Sequence, residues 1–316
     1  MMRDYIRSIC KKIRVDEEAR FRMKTSLKIV CIPFISLSVL FALLLLILSV
    51  NLAFFEAHGY PGVVELREAY YDYVFKTLID FFPWFCIFVI FVLIIGIYVS
   101  HLFLRPFRVI GDYCEGVVNG KKMVYDPEFF TDLKLLTSFS EYFFNQMENA
   151  LQSGEFFPVT VMKKFRRIHE PVFERAFFIN YLFFIVITSI VAALGLYAIS
   201  VDIYMDLIKL SLQTLDSVPS TMTFFNKQYN IFHSLIWIVL FVHSVMYVFL
   251  SLKLYDDIAR PAFAIFATMR SFLKGNFDQR VHLIGFKYVR SQSRRINKYL
   301  DYIQENVKLR KNNSGP

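Results

Sequence analysis

Four stretches of the chain carry no formal charge: Ile29–Phe55, Phe81–Leu104, Ala176–Val201 and Ile231–Leu252. Each exceeds the roughly 20 residues that a helix needs to cross a bilayer. One such stretch could be the core helix of a soluble domain. Four of them in 316 residues, with 56% hydrophobic residues and 36 Phe, leave too little polar surface to wrap a soluble core. Inside hydrocarbon every backbone amide must find its partner within its own segment, so each stretch is predicted to be a transmembrane helix. The fold class expected is therefore an all-α integral membrane protein with four transmembrane helices. The first stretch comes after 28 charge-rich residues and lacks a small-residue cleavage site, which argues against a cleaved signal peptide.

Lys and Arg set the expected orientation. Nine precede the first stretch, from Arg3 to Lys28; ten lie between the second and third, from Arg105 to Arg175; thirteen come after the fourth, from Lys253 to Lys311. The two remaining loops hold only Arg67 and Lys76, and Lys209 and Lys227. This asymmetry predicts a multi-pass protein of the cytoplasmic (inner) membrane with both termini in the cytoplasm. The net charge of +9 is accounted for as a topology signal, and no nucleic-acid partner is expected. Cys10, Cys31, Cys86 and Cys114 are not at metal-ligand spacing and show no disulfide framework.

The second half of the chain echoes the first. Lys11-Lys12-Ile13-Arg14 matches Lys163-Lys164-Phe165-Arg166 at an offset of 152, and Arg20 and Arg175 each stand just before an odd-numbered span. Arg105-Pro106 and Gly120 match Arg260-Pro261 and Gly275 at an offset of 155, and Phe144-Asn145 matches Ile296-Asn297 at 152. The order of the matches and their near-constant offset point to an internal duplication. The expected organisation is a basic arm at 1–28, a transmembrane hairpin at 29–104 with an outside loop at 56–80, and a cytoplasmic module at 105–151. A return linker at 152–175 comes next, then a second hairpin at 176–252 with a loop at 202–230, a second module at 253–303, and a flexible tail at 304–316.

Each module reads as helix, connector, helix. Ile110, Cys114 and Val117 recur at helical spacing, as do Ile265, Met269 and Phe272. Gly120 and Gly275 fall where a left-handed residue closes a helix. The second helix carries Phe144, Met147 and Leu151 in one copy, and Ile296, Tyr299 and Ile303 in the other. Two helices with narrow apolar seams cannot bury them alone, so a four-helix, coiled-coil-like bundle is expected.

The run from Arg260-Pro261 through Ile265, Met269 and Leu273-Lys274-Gly275-Asn276-Phe277-Asp278-Gln279-Arg280-Val281 resembles the first half of a HAMP domain, the linker module of bacterial sensor kinases, chemoreceptors and membrane cyclases. Ile296-Asn297 resembles that family's Phe-Asn signature, and Arg105, Pro106, Ile110, Gly120, Phe144, Asn145 and Met147 resemble the same pattern in the first copy. The acidic pair that usually opens the second helix is absent; Leu135-Leu136 and Lys287-Tyr288 stand in its place. The resemblance implies two-state helical modules that pair as a parallel bundle, here as an intramolecular pseudo-dimer or across a homodimer. A return linker folded as helix would reach roughly 37 Å, with breaks at Pro158 and Pro171.

No phosphate-cradling loop, nucleotide motif or nucleophile elbow is present, so no enzyme, metal or cofactor is expected. The outside loops are too short for a ligand-binding domain, and Tyr70, Tyr71, Tyr73 and Tyr204 read as membrane-interface aromatics. His243, near the middle of the fourth span, is the main intramembrane polar candidate, with His101 and His233 nearer span ends. The function expected is a signal-transduction or adaptor protein that passes transmembrane helix movement through the modules to a separate cytoplasmic partner. The alternative is a small two-repeat transporter or channel component, which spans with few polar or Gly/Pro-broken centres do not favour.

Overall fold

The computed structural model describes residues 16–126, 133–214 and 219–309. Its long elements are helices: α1 (Glu17–Ala57), α2 (Val63–Val118), α3 (Lys134–Ser153), the single turn α4 (Lys163–Arg166), α5 (Arg175–Thr214), α6 (Pro219–Leu273) and α7 (Arg290–Asn306). Two dipeptide strands, β1 (Glu155–Phe156) and β2 (Lys308–Leu309), pair in parallel, with Glu155 opposite Lys308 and Phe156 opposite Leu309. The protein is all-α in class, and α1, α2, α5 and α6 are each long and apolar enough to cross a membrane. The matched basic run at 11–14 and Cys10 lie outside the described residues.

The four long helices overrun the boundaries drawn from charge. α2 is one helix of 56 residues that passes through Pro83 and Pro106, and α6 is one helix of 55 residues that passes through Pro261. A proline removes one amide donor and crowds the preceding turn, but neighbouring packing can carry the helix on. Neither Arg-Pro pair therefore breaks the helix between an apolar span and its bundle seam. At the other ends, α1 continues to Ala57 and α2 restarts at Val63, so the segment 56–80, expected as a loop, is largely helical.

The chain divides into two compact units. The membrane unit comprises 26–95 and 184–251, and the bundle unit comprises 1–25, 96–183 and 252–316. In the membrane unit, Leu40, Leu44, Leu196, Tyr204, Phe232 and Ile236 form one buried cluster, and Leu52, Phe55, Leu66, Tyr70, Leu207 and Phe225 form another. Its outer surface carries large apolar side chains such as Trp84, Phe82, Phe241 and Phe249, as a lipid-facing surface requires. Tyr70 and Tyr204 are each only 1% exposed, so they belong to the core of this unit and not to an interface belt. Tyr71, at 57% exposed, does face outward.

In the bundle unit, helix ends are set by glycine. Gly120 (φ 73°) and Gly275 (φ 100°) both adopt the left-handed backbone. The two turns close alike: Gly120 N–H donates to Val117 O and Lys121 N–H to Gly116 O, while Gly275 N–H donates to Phe272 O and Asn276 N–H to Ser271 O. Each satisfies helix-terminal carbonyls that water would otherwise have to reach. α3 also ends at a left-handed glycine, Gly154 (φ 73°), but with a different bond: its N–H donates four residues back to Ala150 O.

The segment 152–175 is not a helix. Between the end of α3 at Ser153 and the start of α5 at Arg175, apart from β1 and the turn α4, it runs without regular structure, and three of its carbonyls are held by side chains from α6. Arg270 donates to Phe165 O (3.1 Å) and to Ile168 O, and Tyr255 Oη donates to Val172 O (2.9 Å). Val159 N–H likewise bonds Leu273 O, so part of this backbone is paired with α6. α7 runs to Asn306 and leads into β2, so the ordered chain extends past the expected end of the second module.

Candidate functional site

The C-terminal part of α2, α3, the C-terminal part of α6 and α7 pack side by side within the bundle unit. Phe107, Ile110 and Cys114 on α2, Phe139, Phe143, Phe144 and Met147 on α3, Ile265, Phe266, Met269 and Phe272 on α6, and Ile296, Tyr299, Leu300 and Ile303 on α7 are all fully buried. Leu151 is only half-buried; Ala150 takes the inward place on α3. Rings join the helices across the centre: Phe139 meets Phe266 edge-on at 4.6 Å between centroids, Phe144 meets Tyr299 at 5.5 Å, and Phe143 meets Phe272 at 6.2 Å. Ser140 Oγ lies 3.7 Å from Met269 Sδ. Gly111 on α2 lets α7 approach so closely that a Cβ there would sit 3.3 Å from Gln292 Cβ. Burial of each large apolar side chain contributes about 1.5–3 kcal/mol, so most of the holding energy of this assembly lies in its seams.

Ion pairs fix its rim. Arg295 binds Asp112 and, through Nε at 3.1 Å, Glu115. Glu18 accepts from Arg108 (2.8 Å), Arg22 (3.3 Å) and Gln292, which ties the first turn of α1 to α2 and α7. Asp16 caps that turn by accepting from Glu18 N–H at 2.9 Å.

The signature positions differ in their surroundings. Pro106, Ile110, Phe144, Pro261, Ile265 and Ile296 are buried; Arg105 is half-buried. Arg260 pairs with Asp256 at 2.6 Å on the same helix face. Asn297 clamps the connector before α7: its Oδ1 accepts from Val281 N–H (2.8 Å) and its Nδ2 donates to Val281 O (3.1 Å). Arg280 pins the same connector to Asp301 and Gln304. Asn145 is exposed, and 127–132 of the first connector lie outside the described residues.

The openings of α3 and α7 show what stands where an acidic pair is missing. α3 has no side-chain cap of its own. Instead Glu174, just ahead of α5, accepts from Leu135 N–H at 3.0 Å, placing a carboxylate at a helix N-terminus. Burial pushes the Glu174 carboxyl above its usual range, opposed by the bonds from Leu135 and Lys134. Glu174 N–H in turn donates to Tyr255 Oη at 2.6 Å. At α7, the preceding turn Lys287–Val289 carries Tyr288, whose hydroxyl donates to Asp257 O and whose ring stacks on Phe21 at 4.1 Å. No local sequence signal marks Glu174, because its partner is 39 residues away.

In the membrane unit, His243 is fully buried. Its Nδ1 lies 2.8 Å from Ser36 Oγ on α1, and the ring also interacts with the Ser189 backbone of α5. Tyr247, one turn on, donates to Ile29 O at 3.1 Å. A second polar layer joins all four helices: Gln228 Nε2 donates to Asn51 Oδ1 (2.5 Å), Tyr204 Oη donates to Gln228 Oε1 (3.0 Å), Tyr70 bonds Ser211, and Tyr73 donates to Asp206 (2.9 Å). Sequence reasoning passed over Asn51, whose signal is that it is the one amide within Ile29–Phe55. His233 meets Tyr197 Oη at 3.2 Å, and His101 lies 3.4 Å from Arg108 Nη1.

Among the described residues, no three His, Cys, Asp or Glu side chains gather as metal ligands, and Cys31, Cys86 and Cys114 are unpaired. No family model, curated protein or solved structure matches this chain. α2 and α6 each carry an apolar stretch and a bundle seam on one continuous helix.

Proposed function

We propose that the protein is a membrane signal-transduction or adaptor protein. In this reading, residues 105–151 and 253–303 are two HAMP-like modules of an internally duplicated chain, paired as one intramolecular bundle in the cytoplasm. The observation that carries it is the burial of both sets of seam residues against each other within a single chain. Movement of the apolar part of α2 or α6 has no break at which to dissipate before the bundle. Glu174 and Asp257 also tie the openings of α3 and α7 to segments adjoining α5 and within α6. Both termini and both modules lie on the cytoplasmic side of the inner membrane, as the Lys/Arg asymmetry favours, and a separate cytoplasmic protein reads the bundle.

The test is photo-crosslinking in intact cells from exposed positions of α7, Ser291 and Lys298, with identification of the protein caught. A sensor kinase, chemoreceptor or cyclase whose activity changes when this protein is deleted supports the reading. Recovery of the protein alone under several conditions refutes it. The buried Ser36–His243 pair favours a second reading, a small transporter, because polar groups inside membranes mark transport paths. Ion or solute flux in proteoliposomes that is lost in His243→Leu would establish that reading instead.

A further inference from the structure

The turn that closes α6 is surrounded by positive charge in a hollow. Thr268, Arg270, Lys274, Gln279, Arg280 and His282 contribute to the lining of a cavity of about 480 Å³, and no carboxylate does. A second cavity of about 670 Å³ shares Lys274, Gln279, Arg280 and His282 with it and adds Asp278. The cations differ in what they already hold. Arg280 is committed to Asp301, Gln304 and two backbone carbonyls. Among the described residues Arg270 donates only to neutral carbonyls, Phe165 O and Ile168 O, and its guanidinium carbon lies 5.0 Å from the centre of the Phe266 ring. Its charge is therefore held in place but not neutralised, with donors left over. Lys274, one turn further on, is exposed and has no acidic partner among the described residues. Like charges at this spacing on a helix repel, and an anion between them removes that cost. Ser271 and Asn276 add neutral polar groups beside them.

We propose that this hollow binds a soluble phosphate-bearing anion of nucleotide size. Its volume lies within the range of small-molecule sites, and a guanidinium fork beside an ammonium is the donor set that phosphate oxygens take best. The source we commit to is soluble and not a lipid headgroup, since 22 residues of chain separate Lys274 from Leu252, where the fourth apolar stretch ends. The return linker lies beside the site without lining it: Pro158 packs against Gly275, Val159 N–H bonds Leu273 O, and Arg270 holds Phe165 O and Ile168 O. Occupancy thus acts on Arg270, which holds the linker, and gives the bundle an input independent of the membrane helices.

The experiment uses the full chain in phosphatidylcholine nanodiscs, titrated separately with ATP and inorganic phosphate at low salt, with amine labelling of Lys274 as a second readout. The expected result is saturable ATP binding that protects Lys274, weakens with salt, and falls at least about tenfold in Lys274→Glu. Lys122→Glu, at an exposed position outside the hollow, leaves it unchanged. Inorganic phosphate binding more weakly at the same site supports the assignment. No saturable binding of either probe, or equal binding by Lys274→Glu, overturns it. Protection of Lys274 only in nanodiscs containing phosphatidylglycerol overturns the soluble source.

Discussion

A disulfide between positions 111 and 292 tests whether the bundle closes within one chain. A Cβ on Gly111 would stand 3.3 Å from Gln292 Cβ. Disulfides span about 3.5–4.5 Å between Cβ atoms, so Gly111→Cys with Gln292→Cys needs α2 and α7 to part by only a few tenths of an ångström. The Gln292 Cγ that crowds this point at 3.1 Å leaves with the substitution. The cost is the bond from Gln292 to Glu18, about 1.5–3 kcal/mol for a hydrogen bond to a charged group. Against it stands closure of a loop of roughly 180 residues, with an entropic ceiling near 5 kcal/mol. The true gain is well below that ceiling, because apolar helices that stay inserted keep the two segments near each other when the bundle opens. In a background with Cys10, Cys31, Cys86 and Cys114 replaced, mild oxidation of intact membranes should give a faster-migrating monomer on a non-reducing gel. Untagged and tagged chains expressed together should form few mixed dimers. Cross-linking that appears only between chains would falsify intramolecular closure.

The turn at Gly275 separates backbone from side-chain effects: Gly275→Val forces a left-handed backbone, at about 1–2 kcal/mol, and drives a Cβ to 3.1 Å from Pro158 Cγ, whereas exposed Asn276→Val loses only its 3.0 Å bond to Ser271. Equal thermal stability of the two variants would contradict the helix-end assignment. Glu174, whose carboxyl burial raises, binds its proton more tightly folded than unfolded, so its contribution falls as pH rises from the ordinary carboxylate range to the raised folded value and is level beyond it. Melting curves of the detergent-solubilised chain should show that slope, and Glu174→Gln should flatten it; an unchanged slope would assign the pH dependence to other groups. Ser36→Ala leaves His243 Nδ1 without its 2.8 Å partner, at a cost of about 0.6–1.7 kcal/mol in a membrane interior. Ser36→Ala with His243→Leu should recover part of that loss, since removing both partners is cheaper than stranding one; additive losses would show that the pair is not coupled.

The four apolar helices could be read from charge alone, because the feature that marks them, a run without Asp, Glu, Lys or Arg, is local. Helix ends at Gly120 and Gly275 were legible for the same reason: a positive φ needs glycine wherever it occurs. What was not legible depends on partners distant in sequence. The stretch 152–175 carries helix-compatible residues, but its conformation is set by Arg270 and Tyr255, about 100 and 80 residues later. Tyr70 and Tyr204 have the composition of interface residues, yet Ser211 and Gln228 give their hydroxyls partners inside the unit. The continuity of α2 through Pro106 and of α6 through Pro261 is hidden in the sequence because proline's local penalty is plain there, and the packing that outweighs it is not.

The two units are held together by different physics, and that decides where a signal could leave. In the membrane unit apolar contact with a neighbouring helix gains little over contact with lipid. Helix order there rests on close packing and on a few polar pairs, Ser36 with His243 and Asn51 with Gln228. Such pairs can be exchanged at small cost. In the bundle unit the aromatic seams of α3, α6 and α7 are buried from water, and separating them costs far more. Neither second helix continues outward as a rod: α3 stops at the left-handed Gly154, and α7 stops at Val307, after which Glu155–Phe156 and Lys308–Leu309 pair as strands. On the proposed reading, a partner would meet the bundle from its side, against exposed positions such as Glu141 and Glu148 on α3 or Arg294 and Lys298 on α7. Charge reversal at one of these should uncouple the partner while leaving the buried seams intact.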